Sequence, residues 1–192
     1  MKDFSLFEHA LKIAGTRLEN LGDVPHISRR EFDARETLSF RARVPCLEYA
    51  TLLIENRLTL RARRGGRVYA GFERLSRMEP VVERYLRIAD ISERLYAFGE
   101  PDWEPPTHPN LRVVRLSPQA RLAREWFIVA DSPAVRAALV ALDEGPSPSH
   151  AHDEEQRFFR AFKTCDPELV TRLAAAADDL AYPSLVSTRL AS

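Results

Sequence analysis

The chain of 192 residues has little cysteine, almost no lysine, no net charge and no long apolar run. Its two cysteines, Cys46 and Cys165, could form one disulfide at most. Because no secretion signal precedes them, we expect two reduced thiols. The longest apolar run, residues 137–142, is far shorter than the roughly 20 residues of a membrane-spanning helix. We therefore expect a cytoplasmic protein without a membrane partner.

The charge balance gives no general attraction to nucleic acid, because 28 Lys and Arg face 28 Asp and Glu. A local basic cluster is present, formed by Arg57, Arg61, Arg63, Arg64 and Arg67. Arginines at the end of a helix are stabilised by the helix dipole, so the cluster needs no phosphate to explain it. We do not expect nucleic-acid binding.

The sequence lacks the common catalytic motifs: G-x-S-x-G, the Walker A loop and G-x-G-x-x-G are absent. One group of metal-ligating residue types occurs, His150 and His152 beside Asp153, but no second ligand pair accompanies it. Acidic residues at a helix start explain the same pattern. We expect neither catalysis nor a metal site, and no residue pattern identifies a cofactor.

The first third of the chain is predicted to be mainly helical. Apolar residues from Phe4 to Leu21 recur at steps of three and four, which predicts a helix that Gly22 ends. Residues 23–45 mix periodicities, and only a short strand near residues 24–27 is predicted there. A second helix is predicted over residues 46–63, stopped by a Gly-Gly pair.

The middle of the chain predicts a sheet. Residues 68–72 and 95–98 are strand-like, and the helix between them has Ser76 as its expected N-cap. Such a βαβ unit has parallel strands and a right-handed crossover. A proline-rich loop over residues 99–110 precedes a third strand, and residues 126–130 and 137–142 predict a hairpin.

A linker is predicted at residues 145–149, followed by two helices. Phe158, Phe159 and Phe162 would lie on one side of the first, and Asp166 would cap the second. The expected fold class is therefore α+β, with a mixed central sheet of four to five strands, one βαβ unit, flanking helices and a C-terminal helical hairpin. The expected division is residues 1–144 and residues 145–192.

Five short blocks, in order, resemble the DICT sensory domain, which is associated with diguanylate cyclases and two-component systems. Together they span about residues 68–144, and Ser5-Leu6-Phe7-Glu8 resembles the usual opening of that domain. The blocks are Gly71-Phe72-Glu73-Arg74-Leu75-Ser76-Arg77, Val82-Glu83-Arg84-Tyr85, Ala97-Phe98-Gly99-Glu100-Pro101-Asp102, Leu122-Ala123-Arg124-Glu125-Trp126-Phe127 and Ala138-Leu139-Val140-Ala141.

The resemblance implies an α+β fold with about four central strands and a sensory role, in some members a role connected with light. It implies no particular ligand and no catalytic residues. DICT domains are often fused to cyclase, phosphodiesterase or kinase modules, and the last fifty residues here offer no room for one. We therefore expect a stand-alone sensory domain that acts through a signalling protein partner.

The expected ligand site lies at the strand ends, where sheets with parallel strands commonly bind ligands. Arg74 and Arg77 would clamp an anionic group, and Trp126 would stack on the ligand or pack. The candidate ligand-binding residues are Phe72, Arg74, Arg77, Asp102, Glu125 and Trp126. The alternative is an adaptor without a ligand, dimerising through residues 4–21 or the C-terminal hairpin. A homodimer is expected in either case.

Overall fold

The computed structural model describes residues 3–60, 64–145 and 157–190, with side chains to Tyr182. The strands are β1 (Glu19–Asp23), β2 (Thr37–Arg43), β3 (Arg67–Arg74), β4 (Arg94–Glu100), β5 (Leu111–Arg115), β6 (Glu125–Asp131), β7 (Arg136–Asp143) and β8 (Phe158–Thr164). The helices are α1 (Leu6–Ala14), α2 (Arg29–Ala34), α3 (Val44–Leu60), α4 (Val82–Ile91) and α5 (Pro167–Leu190). Three short 3₁₀ segments are Gly15–Arg17, Leu75–Val81 and Arg121–Arg124.

All eight strands form one mixed sheet in the order β1-β2-β8-β7-β6-β3-β4-β5. β3, β4 and β5 are parallel to one another, β1 is parallel to β2, and the other neighbours are antiparallel. The α+β class and the mixed sheet are confirmed. The predicted count of four to five strands is wrong, because β1, β2 and β8 extend the sheet.

The predicted βαβ unit is confirmed: β3, α4 and β4 follow one another, and the two strands pair in parallel. The hairpin of β6 and β7 is also confirmed. Ser76, however, does not cap α4. The chain runs as a 3₁₀ segment through Pro80, which disfavours α geometry at the preceding residue, and α4 begins only after Val81. Ser76 instead donates to Asp102 from its backbone N and its Oγ.

The N-terminal helix is shorter than predicted. α1 ends at Ala14, and Gly15 caps it in a left-handed conformation (φ 54°) with its N–H donating to the Leu11 carbonyl. Gly22 lies within β1 instead of ending a helix. The strand predicted at residues 24–27 is wrong, because β1 and β2 lie on either side of it. β1 is an edge strand that is mostly exposed, so it lacks an apolar alternation.

The helix predicted to carry three phenylalanines is strand β8, so the C-terminal helical hairpin is wrong. β8 pairs with β2 on one side and with β7 on the other. α5 is the remaining helix, and Asp166 caps it, as predicted, by accepting from the backbone N of Glu168 and of Leu169. The sheet therefore crosses the predicted boundary at residue 145. Residues 146–149 of the predicted linker, His150 and His152 lie outside the described residues.

Helices cover both faces of the sheet and bury a core on each. One face packs against α2, α3 and α4, with Phe32, Leu47 and Ile88 fully buried there. The other packs against α1 and α5, where Leu6 and Leu173 are fully buried. No helix in the described part of the chain could span a membrane.

The two cysteines are free thiols, as expected. Cys46 is a buried residue near the start of α3, and Cys165 is partly buried directly after β8.

Candidate functional site

A cleft of about 670 Å³ opens between α3 and α4 on one face of the sheet. We call it the α3/α4 cleft. The wall from α3 consists of Val44, Pro45, Glu48, Tyr49, Thr51, Leu52 and Glu55. The opposite wall is formed by Arg77, Pro80, Val81, Arg84 and Tyr85, and the floor by Gly71, Phe72 and Trp126.

The helix wall follows from the spacing of its residues. Glu48, Leu52 and Glu55 are separated by steps of four and three, which places them on one side of α3. Thr51 lies beside them and accepts a hydrogen bond from Nε1 of Trp126 at 3.2 Å. This bond connects α3 to β6 at the bottom of the cleft.

The floor is an ordered pair of aromatic side chains. Phe72 of β3 and Trp126 of β6 are partners in the antiparallel register, so they project from the same face of the sheet. Phe72 meets Tyr85 edge to face, with 4.9 Å between ring centroids. Trp126 meets Phe159 in the same way at 6.2 Å. Because each ring is held by another ring or by Thr51, the floor has a defined shape before any ligand binds.

An ion pair between a buried acid and a partly exposed arginine closes one end of the cleft. Glu55 is only 3% exposed and accepts from Nη1 of Arg84 at 2.8 Å. Burial, and then the Glu55 carboxylate beside it, raises the pKa of the Tyr85 phenol well above its ordinary range. Removing one partner of such a pair leaves a charge in the protein interior, which is strongly unfavourable. The Glu55–Arg84 pair therefore fixes α3 against α4.

A second group of charges has the buried Glu73 at its centre. Glu73 accepts from Arg77 at 2.5 Å and from Arg157 at 2.6 Å, and Arg157 also donates to Asp143 at 2.7 Å. Burial opposes the charge of Arg157, but its hydrogen bonds to Glu73 and Asp143 outweigh burial and raise the pKa of the guanidinium. These contacts connect the cleft wall to β7 and to the residue that precedes β8.

Glu73 has a positive φ of 60°, which is uncommon for a residue with a side chain. It lies where the register of β3 with β4 shifts, between Gly71 and Arg74. Such irregularities redirect side chains at sheet ends and are frequent beside functional sites. The local conformation is held by the ion pairs of the Glu73 carboxylate.

Three of the six predicted ligand-binding residues line the cleft: Phe72, Arg77 and Trp126. Arg74 is exposed and does not line it. Asp102 lies in the loop after β4. Burial acts to raise the pKa of Asp102, but the hydrogen bonds from Ser76 and the charge of Arg74 outweigh it and lower that pKa.

The sixth predicted residue, Glu125, is on the other face of the sheet. It precedes Trp126 in β6, and successive side chains of a strand point to opposite faces. Its Oε2 accepts from the backbone N of Phe7 at 3.1 Å, whereas its buried Oε1 has no partner among the described residues. Burial raises the pKa of Glu125 to about 7 against the lowering effect of hydrogen bonds from Ser5, Phe7 and Leu6. Glu125 therefore anchors the start of α1.

The structure also places two arginines of the basic cluster and Trp103 of the proline-rich loop. Arg57 pairs with Asp33, and Arg67 pairs with Asp178, so these two members of the basic cluster have acidic partners. Trp103 packs its loop against the core beneath α4. Within the described ranges, no three His, Cys, Asp or Glu side chains are grouped to hold a metal ion.

Sequence reasoning missed Tyr49, Thr51 and Glu55 on the α3 side of the cleft, and it missed Arg84 on the opposite wall. A signal for Glu55 does exist. It follows Ile54 in the apolar stripe of α3 and is buried. A charged residue beside the core positions of a helix indicates a buried partner.

Residues 52–144 match the family model of DICT, described as the sensory domain in diguanylate cyclases and two-component systems. This segment belongs to the DICT family. The DICT segment begins within α3 and ends after β7, so it contains most of the cleft. No curated protein matches the chain in sequence.

Three solved structures share part of the fold at low similarity. Polyphosphate kinase from Porphyromonas gingivalis is 16% identical with a TM-score of 0.46, over 79% of this chain and 25% of the kinase chain. NucT from Helicobacter pylori is 13% identical with a TM-score of 0.44, over 78% of this chain and 98% of that chain. The phospholipase D family member Nuc from Salmonella typhimurium is 14% identical with a TM-score of 0.39, over 78% of this chain and 96% of that chain. This chain thus corresponds to a quarter of the kinase it resembles, and similarity at this level carries no argument about function.

Proposed function

We propose that the chain is a cytoplasmic, non-catalytic sensory domain that binds a small, largely apolar molecule in the α3/α4 cleft. The observation that carries this proposal is the cleft itself. Its volume of about 670 Å³ lies within the range of roughly 300–1,000 Å³ typical of small-molecule sites. Its floor is aromatic and ordered, and most of its lining belongs to the DICT segment.

A light-related signal is one form of the same proposal. None of the twenty side chains absorbs visible light, so a light sensor of this kind would need a coloured molecule in the cleft. Purified protein with visible absorbance that is lost on denaturation would support this form. A colourless protein would leave the small-ligand form as the proposal.

The signal would pass to a protein partner through the ion pairs behind Arg77. Arg77 lines the cleft, and Glu73 connects it to Arg157 and so to Asp143 of β7. A ligand that moves Arg77 would disturb this group, because the buried Glu73 would lose one of its two arginine partners. Movement in the cleft would thereby reach the β7–β8 side of the sheet.

The test is a thermal-shift screen of small molecules against three proteins. A molecule that binds only the folded state raises Tm. Leu52→Trp narrows the cleft, so binders should lose most of their effect on this variant. Leu11→Trp is the matched control, because Leu11 is also partly buried on a helix but packs on the opposite face. Stabilisation that is equal in all three proteins would contradict binding in the cleft.

The second candidate is the homodimeric adaptor without a ligand, favoured by large apolar side chains that are exposed in the described part of the chain: Tyr49 (41% exposed), Leu60 (81%) and Tyr182 (73%). Exposed apolar surface of this kind can serve as a contact with another chain. Light scattering distinguishes the two states, since a monomer has a mass of 21.9 kDa. A strict monomer at all concentrations would contradict the adaptor and leave the ligand proposal intact.

A further inference from the structure

The charges that line the α3/α4 cleft differ in whether they have partners. Arg84 pairs with Glu55, and Arg77 pairs with Glu73. Both acids are buried, with 3% exposure for Glu55 and 7% for Glu73. An anion that drew Arg84 away would leave the buried Glu55 unpaired, which is strongly unfavourable. An anion that drew Arg77 away would leave Glu73 with Arg157 as its remaining partner. Both lining arginines therefore already have acidic partners. Of Arg74 and Arg77, which the sequence predicts to clamp an anionic group, only Arg77 lines the cleft.

Glu48 is the remaining charged residue in the lining of the cleft. It is exposed on α3, one turn before Leu52, and it has no hydrogen bond or ion pair with any residue that the structure describes. With two neutralised arginines and one unpaired carboxylate, the lining presents a net negative charge at the side of Glu48. A positively charged group is the complement of that charge.

The aromatic lining favours the same kind of group. Tyr49 follows Glu48 on α3 and is partly exposed, and Trp126 and Phe72 form the floor. The faces of aromatic rings carry partial negative charge and attract ammonium groups, most strongly for Trp and Tyr. A carboxylate combined with several aromatic rings is a typical environment for an amine or quaternary ammonium group.

We propose that the α3/α4 cleft takes an amphiphilic organic cation, whose apolar body lies on Phe72 and Trp126 and whose ammonium group lies at Glu48. The inference rests on the proposed function and specifies its ligand class. Glu48 supplies the charge selectivity, and the aromatic floor supplies most of the apolar contact area.

The experiment compares three probes with the same octyl chain and different head groups: octyltrimethylammonium chloride, octanol and octanoate. Trp103→Phe leaves Trp126 as the single tryptophan, so its emission reports binding in the cleft. All probes are used below micelle-forming concentrations. Calorimetry on the unaltered chain measures the same dissociation constants independently of that variant.

We expect the ammonium probe to bind about tenfold more tightly than octanoate, with octanol between them. Glu48→Gln should weaken binding of the ammonium probe about fivefold and leave octanol unchanged. Glu36→Gln is the matched control, because Glu36 is exposed and does not line the cleft. It removes the same charge from the molecule and should change none of the three constants.

Three outcomes would overturn the inference. Equal binding of all three probes would show a cleft without charge selectivity, and the proposed function would stand. Tightest binding of octanoate would indicate that Arg77 binds an anionic group, as the sequence predicts. Failure of the ammonium probe to bind at all would exclude the ligand class, whereas the proposed function would still be decided by the screen with Leu52→Trp.

Discussion

The buried carboxyl group of Glu125 makes the stability of the fold depend on pH. Its carboxyl group is buried under α1, and its pKa is about 7 instead of the ordinary 4.5. A raised pKa means that the folded state favours the neutral acid. The contribution of Glu125 is therefore full below about pH 4.5 and is lost as the pH rises through 7.

Glu125→Gln should remove this loss, because the amide stays neutral and can still accept from the Phe7 backbone. We expect the variant to match the parent near pH 5 and to be more stable at pH 8, by an amount on the order of 2–3 kcal/mol for a difference of this size in pKa. Urea unfolding at pH 5 and at pH 8 measures this difference in the free energy of unfolding. If the free energies of unfolding of the parent and the variant changed in parallel with pH, Glu125 would not be the source of the pH dependence. The exposed Glu36→Gln serves as the control.

Gly71 is a residue whose missing side chain makes room for a neighbour. A Cβ added there would lie 2.2 Å from Cε1 of Phe127, the residue that pairs with Gly71 across β3 and β6. We expect Gly71→Ala to destabilise the protein by about 1–3 kcal/mol through overpacking. The cost should shrink in a Phe127→Leu background, where the contact is relieved. An equal cost in both backgrounds, measured by denaturant unfolding, would show that the contact is not its cause.

At the scale of secondary structure, β8 shows where sequence patterns mislead. Phe158, Phe159 and Phe162 have the spacing of one helix face, yet in β8 they alternate between faces. Phe159 is buried beneath α3 and Phe162 beneath α5. A central strand that is covered on both sides has no polar face, so it lacks the alternation by which half-buried strands are identified.

The strand placement predicts how two substitutions combine. Phe159→Ala and Phe162→Ala should each cost about 3–5 kcal/mol, because both rings are fully buried. Their effects should add, since the rings lie in different cores and share no contact. Phe158→Ala, at a partly exposed ring beneath Arg41, should cost less. Strong coupling between the two buried positions would instead fit neighbours on one helix.

The elements around the site were predictable to different degrees. The βαβ unit and the hairpin follow from local alternation and turns, so Phe72, Arg77 and Trp126 could be placed at strand ends from the sequence. The sequence could not show which of Glu125 and Trp126 faces the cleft, because a one-residue error in the register of a strand moves each side chain to the other face of the sheet. Thr51 and Glu55 join the site only because α3 packs against β6 and α4, and that packing leaves no local pattern.

At the scale of the whole molecule, the two cores share one sheet, so neither can form without it. We expect a single cooperative unfolding transition. In Trp103→Phe, the emission of Trp126 reports the cleft face, while far-UV circular dichroism also reports α1 and α5 on the other face. The two urea curves should coincide. Separate midpoints would show that the two faces of the sheet do not unfold together.

The central position of β8 also sets the order in which the sheet can be completed during translation. β2 reaches the rest of the sheet only through β8, which is the last of the described strands to leave the ribosome. Until then the nascent chain holds two partial sheets, and β2 and β7 each present an open edge with unpaired backbone groups. Open edges of this kind are the usual starting points of aggregation. A premature stop before residue 158 should therefore yield a chain that chaperones retain or proteases remove.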